Sequence, residues 1–305
     1  MQYNVTVEKQ FGDVGVSASY MSTLARKNVW RRDLRQVPAD TRPFAEKLAQ
    51  APYPYLFNAS FGDNGGAHNY HGGWVKVERK PKGGLYYTAN VTWARSVGDD
   101  WGNPEDAFNR RRERSAGGDI PRLRLVAIGL YDLPFGRGKR FGSGLSKIAN
   151  HIVGNWNAGI TWVTQTGTFF HPTFAGTDPG NTNIRAGRPD RIADGNLPAG
   201  QRTLDRWFDG AAFVTPGDGI GRFGTSGAFV LEGPGRNVFH MGLNKDIVFH
   251  ERLRMRLEAV STNAFNHPNF VNPSAVVGTP AYGRVLSSHP DDGNRNFSLT
   301  ARIIF

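Results

Sequence analysis

The stretch Phe297-Ser298-Leu299-Thr300-Ala301-Arg302-Ile303-Ile304-Phe305 decides how the rest of the chain reads. Phe297, Leu299, Ala301, Ile303 and Phe305 fall on one side of an extended backbone. Ser298, Thr300 and Arg302 fall on the other, with Ile304 the exception. A period of two is that of a β-strand, whose successive side chains point to opposite faces. The stretch therefore has one apolar and one polar face, and it closes on an aromatic ring.

The same pattern recurs upstream. Tyr3, Val5 and Val7 alternate with Asn4, Thr6 and Glu8; Phe11-Gly12-Asp13 reads as a turn, and Val14, Val16, Ala18 and Tyr20 return. A second hairpin covers 70–95, turning at Lys80-Pro81-Lys82-Gly83-Gly84, with Leu85, Tyr87, Ala89, Val91 and Trp93 on one face of its return strand. Further strands are expected at 122–131, 155–165, around Phe239–Leu243, at Leu253–Ala259 and, briefly, near 282–286. Between them, 22–67, 96–119 and 171–234 read as long loops rich in Gly, Pro, Asp and Asn, with one helical turn expected at Thr203–Phe208. Loops this long argue against a compact soluble fold but suit the outer ends of a membrane barrel. The expectation is an all-β chain: an antiparallel transmembrane β-barrel, or part of one, with about ten strands, short turns at one end and long loops at the other.

Composition agrees without deciding. Of 305 residues 39% are apolar and 21% charged, and no run approaches the ~20 apolar residues of a spanning helix. A barrel escapes that requirement because each strand shows lipid only one face. The competing expectation is a soluble β-rich binding or adhesion module, whose apolar faces would meet across two packed sheets. The absence of cysteine removes disulfides, thiolate metal sites and cysteine nucleophiles.

The net charge of +11 is spread along the chain. Its densest run, Asn109-Arg110-Arg111-Arg112-Glu113-Arg114, lies in an expected loop without any nucleic-acid-binding motif, so no nucleic-acid partner is expected. Gly136-Arg137-Gly138-Lys139-Arg140 lacks the spacing and the Ser/Thr of a phosphate loop. His68 and His71 have no third ligand at a recognisable spacing, and Asp99-Asp100 and Asp291-Asp292-Gly293-Asn294 lack a calcium-loop pattern. No Gly-x-Ser-x-Gly elbow occurs. No catalytic residue, metal or cofactor is expected.

The segments Tyr131–Gly138, Gly154–Ile160, Asp205–Phe208, Phe249–Ala259, Phe265–Phe270 and Ala301–Phe305, in this order, resemble the C-terminal β-barrel region of Oar-like TonB-dependent outer-membrane transporters of the Acidobacteria type. The resemblance covers nearly all of 1–305, more weakly before residue 70. It implies a 22-stranded parent barrel, of which this chain would supply about half. It also implies a plug domain, and often a carboxypeptidase-regulatory-like domain, neither of which is recognisable here. The chain begins on a strand with no signal-peptide pattern, so a missing N-terminal part is expected.

The resemblance implies an outer-membrane location and a contribution to substrate passage only within a complete receptor. Its partners would be outer-membrane lipid, the barrel-assembly machinery, and a plug with N-terminal strands that carry the TonB-type energy coupling. Phe297, Leu299, Ala301, Ile303 and Phe305 look like the family's barrel-assembly signal. If Met255, Leu257 and Ile303 face lipid, then Arg254, Arg256, Glu258 and Arg302 are expected to face the lumen, because a charge on the lipid face costs about 2–4 kcal/mol at midplane.

Overall fold

The computed structural model describes all residues except 52, 57, 58, 101, 103, 251 and 252, and all side chains but theirs and that of His250. Nine long strands follow one another: β1 (Gln2–Phe11), β2 (Val14–Asp33), β3 (Ser60–Lys82), β4 (Leu85–Gly98), β5 (Leu123–Asp132), β6 (Trp156–Gln165), β7 (Arg236–His250), β8 (Leu253–Thr262) and β9 (Asn296–Ile304). Each pairs antiparallel with the next in chain order. The two-residue strand Ser115–Ala116 also pairs with β4, making ten strands in one sheet. Among the described residues no ladder joins β9 back to β1.

Residues directly opposite across an antiparallel ladder point to the same side. The register therefore sorts the side chains into two faces. Leu85, Tyr131, Ala158, Leu243, Ala259 and Leu299 form one continuous row. Val5, Tyr20, Gly73, Trp93 and Leu123 form another on the same face. On the opposite face run Asp132, Asn157, Asn244, Glu258 and Thr300, and beside them Asp246, Arg256 and Arg302. The apolar face is left uncovered, with Val75, Trp93, Leu299 and Ile303 among its exposed side chains. The apolar faces do not meet across two packed sheets, as the soluble-module expectation required.

Three connections at one end, 12–13, 83–84 and 251–252, are two residues long, and the fourth there, 133–155, carries a helix (Lys147–Val153). All four at the other end, 34–59, 99–122, 166–235 and 263–295, are long. The turn between β3 and β4 has positive φ at both central residues, +62° at Gly83 and +80° at Gly84. That combination is a type I′ geometry, which matches strand twist and favours glycine. Gly12 is likewise at +58°.

Several expectations need correction. Residues 22–33 and 60–67 are not loop but the outer halves of β2 and β3, paired from Ser22↔His71 to Asp33↔Ser60 with register shifts around Asn28. β2 runs 20 residues where ~9–11 suffice to span lipid. Beyond the hydrocarbon both faces meet polar surroundings, so nothing imposes alternation there, and Gly62-Asp63-Asn64-Gly65-Gly66 passes for a turn. The connecting loop is 34–59, carrying helix α1 (Phe44–Ala49). No strand forms near 282–286, where Tyr282 N–H and Arg284 N–H close turns onto Thr279 and Ala281. Thr203–Phe208 holds only a turn closed by Arg206 N–H on Thr203 C=O, not a helix. Helix α2 (Lys147–Val153) was not anticipated, although Ser146 accepts from Ala149 N–H as an N-cap.

The long connections 166–235 and 263–295 pack on each other around their own core. Phe170, Phe208, Ala212, Phe213 and Leu231 are buried there, flanked by Trp207, Val230, Ala275, Val277 and Tyr282. Phe208 is the hub, edge-to-face with Phe170, Phe213 and Tyr282 at 5.7, 6.2 and 5.2 Å. Burying each such ring contributes roughly 1.5–3 kcal/mol, enough to hold these loops as an ordered cap.

The turns give a direct test. A Cβ at Gly84 would lie 3.1 Å from both Cβ and O of Asp132, whereas one at Gly12 meets nothing within 4 Å. Both positions pay the positive-φ penalty for alanine. Gly84→Ala should therefore destabilise more than Gly12→Ala, by roughly 1 kcal/mol, measured by urea titration of the protein in detergent micelles.

Candidate functional site

Two regions gather polar chemistry: the polar face of the sheet and the loop cap. On the face, Arg254, Arg256 and Glu258 share one side of β8, and Arg302 of β9 stands opposite Arg256. The structure thus brings the four singled-out charges together in adjoining rows. Arg256 makes a two-pronged ion pair with Asp246, Nε and Nη2 donating over 2.7 and 2.9 Å. Arg254 and Arg302 are exposed and Glu258 half-buried. Asp246, the partner of Arg256, was not anticipated; its signal was a lone acid in the strand Arg236–His250. Phe297, Leu299, Ala301 and Ile303 lie together on the other face of β9, with Phe305 just beyond the strand.

The cap encloses a partly open cavity of about 210 Å³ between 99–119 and 166–235. Arg188 is buried in its wall and donates to both oxygens of Glu113 at 2.9 and 3.0 Å, with Glu105 2.9 Å away. Arg112 donates to Glu105 as well, at 2.8 Å. Arg110 pairs with Asp99 at 2.8 Å. Arg110 and Arg112 of the basic run 109–114 are thus engaged by carboxylates of their own cap. Removing one partner from such a buried cluster leaves an uncompensated charge, at a cost of about 3–5 kcal/mol.

His68 and His71 lie on opposite faces of β3, three residues apart. They cannot share a metal. His68 links Ser96 Oγ at Nε2 to Asp100 at Nδ1, 3.3 Å away. The order Ser–His–Asp has the look of a nucleophile triad, but Ser96 is 3% exposed and closed to a substrate. The cluster ties β3 to the end of β4 where their ladder stops. Among the described residues no group of three His, Asp or Glu side chains is placed to hold a metal ion.

Asp292 is 1% exposed and pairs with Arg236 at the start of β7. Its carbonyl accepts from Asn263 and Asn269, at 3.1 and 3.0 Å, and Asn269 also accepts from Asn237 N–H at 2.7 Å. The Asn263–Phe270 segment is therefore a clamp that ties loop 263–295 to β7. Within the segment Phe249–Ala259, Glu251 and Arg252 lie outside the described residues.

His171 lines the cavity and accepts from Phe229 N–H at 3.3 Å. Burial, reinforced by the nearby Arg188 charge, pushes its pKa down to about 4. A histidine whose folded pKa lies below its unfolded value binds protons more readily when unfolded, so stability is complete above the unfolded pKa and falls as pH drops. The cap should lose protection between about pH 6.5 and 4, read by hydrogen exchange of 166–235 corrected for intrinsic rates. His171→Gln should flatten that dependence; an unchanged profile would move its origin to other groups.

Three solved structures resemble the fold. The outer membrane transporter YddB from Escherichia coli aligns over 99% of this chain and 32% of its own, with 8% identity and a TM-score of 0.51. The copper transporter OprC aligns over 99% and 30%, at 11% identity and a TM-score of 0.45. OmpT of Vibrio cholerae, an in-vitro folded outer membrane protein in its trimer form, aligns over 99% and 56%, at 9% identity and a TM-score of 0.28. The chain thus spans about a third of the length of the first two. At such identities the likeness is one of fold. No curated protein matches the chain. Residues 1–298 match the family profile described as outer membrane beta barrel domain, which takes in every strand except most of β9. With its two-faced antiparallel sheet, the chain belongs to this family of outer-membrane beta-barrel domains.

Proposed function

We propose that the chain forms part of the wall of a TonB-dependent, Oar-like outer-membrane transporter, and that it serves substrate passage only within a complete receptor. The observation that carries this reading is the continuous antiparallel ladder that keeps apolar side chains bare on one face along nine strands. Such a face, left bare, suits hydrocarbon rather than water. The opposite face then lines a lumen, with Arg254, Arg256, Glu258 and Arg302 in its wall. The 32% coverage of the transporter YddB fits a segment of a larger barrel.

In this reading the outer edges of β1 and β9 meet further strands, because lipid leaves no backbone group unpaired. Energy coupling reaches the segment only through those strands and a plug. The alternating apolar residues of β9, ending at Phe305, serve as the signal for the barrel-assembly machinery. The cap at the long-loop end faces outside the cell.

Because the chain has no cysteine, a single-cysteine scan in lipid vesicles tests the facing directly. Cysteines replacing Val91, Leu243 or Leu299 should resist a membrane-impermeant maleimide. Those replacing Asn90, Asn244 or Thr300 should react once the lumen is open to water. Equal labelling of both sets would end the proposal. Energetics give a second test: Leu299→Arg should cost about 2–4 kcal/mol in a bilayer, while Thr300→Arg should cost far less, by urea titration of vesicle-bound protein.

A further inference from the structure

We infer that the apolar face carries a binding site for an anionic phospholipid, built around Gly73. In the row Val5–Tyr20–Gly73–Trp93 the glycine stands between two aromatic side chains. The next row toward the short turns is Val7–Ala18–Val75–Val91. The missing side chain leaves an open groove of about 500 Å³, lined by Val5, Tyr20, Val75, Val91 and Trp93. The backbone does not demand glycine there. Gly73 is not among the positive-φ glycines, and a Cβ would make only an ordinary 3.7 Å contact with Ser19 O. A strand-interior glycine with no backbone reason is where another molecule approaches closely, and the width suits an acyl chain held between two rings.

The row above the groove, toward the long loops, is Tyr3–Ser22–His71–Arg95. Strand rise puts it roughly 7 Å from Gly73. Arg95 is exposed and has no hydrogen-bond or ion-pair partner among the described residues. His71 is oriented by Tyr20, the hydroxyl lying 2.7 Å from Nδ1. Farther up on the same face, Arg26 is exposed and donates to Asn69 at 2.6 Å. No Asp or Glu stands in either row. An apolar slot capped by cations is complementary to a lipid whose chain lies in hydrocarbon and whose phosphate sits at the interface.

The inference rests on the apolar face meeting lipid, which the cysteine scan tests separately. Native mass spectrometry of the full chain released from micelles, with dimyristoyl phosphatidylglycerol or phosphatidylcholine added, tests the site itself. The unaltered chain should retain more phosphatidylglycerol than phosphatidylcholine. Arg95→Gln should lower phosphatidylglycerol retention about fivefold, the worth of one arginine near an anionic headgroup. Gly73→Leu, which has room to fold, should lower retention of both lipids by filling the slot. Arg124→Gln, on the opposite face, should change neither. Equal retention of the two lipids would overturn the inference, as would wild-type retention by both site variants or an equal loss in Arg124→Gln. If the scan holds and these variants fail, the lipid site alone falls; uniform labelling in the scan removes the lipid-facing reading beneath it.

Discussion

A backbone that crosses hydrocarbon finds no water to bond, so each N–H and C=O must be paired within the structure. In this chain the antiparallel ladder discharges that requirement from β1 through β9. Everything else follows from the ladder. Fixed register fixes which side chain faces which way, and a slip of one residue would turn every side chain to the wrong face. The rows that hold Leu243 and Leu299 on one side and Asn244 and Thr300 on the other exist because the pairing leaves no freedom between them.

Lys245 shows how strictly the division is kept. It falls in the apolar row between Trp156 and Leu257, where a bare ammonium would be costly. It is 3% exposed, donates to the Gly154 carbonyl that ends α2, and lies 5.4 Å from the centre of the Trp156 ring. The position is close to the short-turn end, where a lysine stem runs along apolar surface while its head finds polar partners. Helix α2 thus has a task in the fold: it brings a carbonyl to a cation that the register has placed on the wrong face.

The legible part of the sequence was the part under that constraint. Phe297–Ile303, Leu85–Trp93 and Trp156–Trp162 alternate because each strand separates two media, and their ends were read to within a few residues. The outer halves of β2 and β3 were missed because Arg26 to Arg32 and Gly62 to Gly66 stand where both faces are polar, so strand pairing survives without leaving a pattern. The cap was missed for a different reason. Its core joins Phe170, Phe208, Phe213 and Leu231 across more than sixty residues of Gly- and Pro-rich chain, and no local period reports contacts of that kind. That Arg254, Arg256 and Glu258 share one face was legible from parity alone, whereas the approach of Arg302 needed the register of β9 on β8 and the pairing of Arg256 with Asp246 that of β7 on β8.

Among the described residues the backbone pairing of the ladder stops at the outer edges of β1 and β9. Every residue of β1 is exposed, as is all of β9 except Ile304. Two such edges could in principle meet each other, but the cap argues against so small a closure. Its core is made by loops 166–235 and 263–295, which rise from β6 to β9, while β2 and β3 stay paired for well over the ~9–11 residues that span lipid, on the far side of the sheet. The polar face carries the half-buried Asp246–Arg256 pair and the exposed Arg254 and Arg302, side chains that need water or a polar partner across from them. A barrel of nine or ten strands has an interior little wider than its own side chains. In the proposed reading, further strands would satisfy the edges and the lumen together, so the ladder and the charges of its polar face make the same demand.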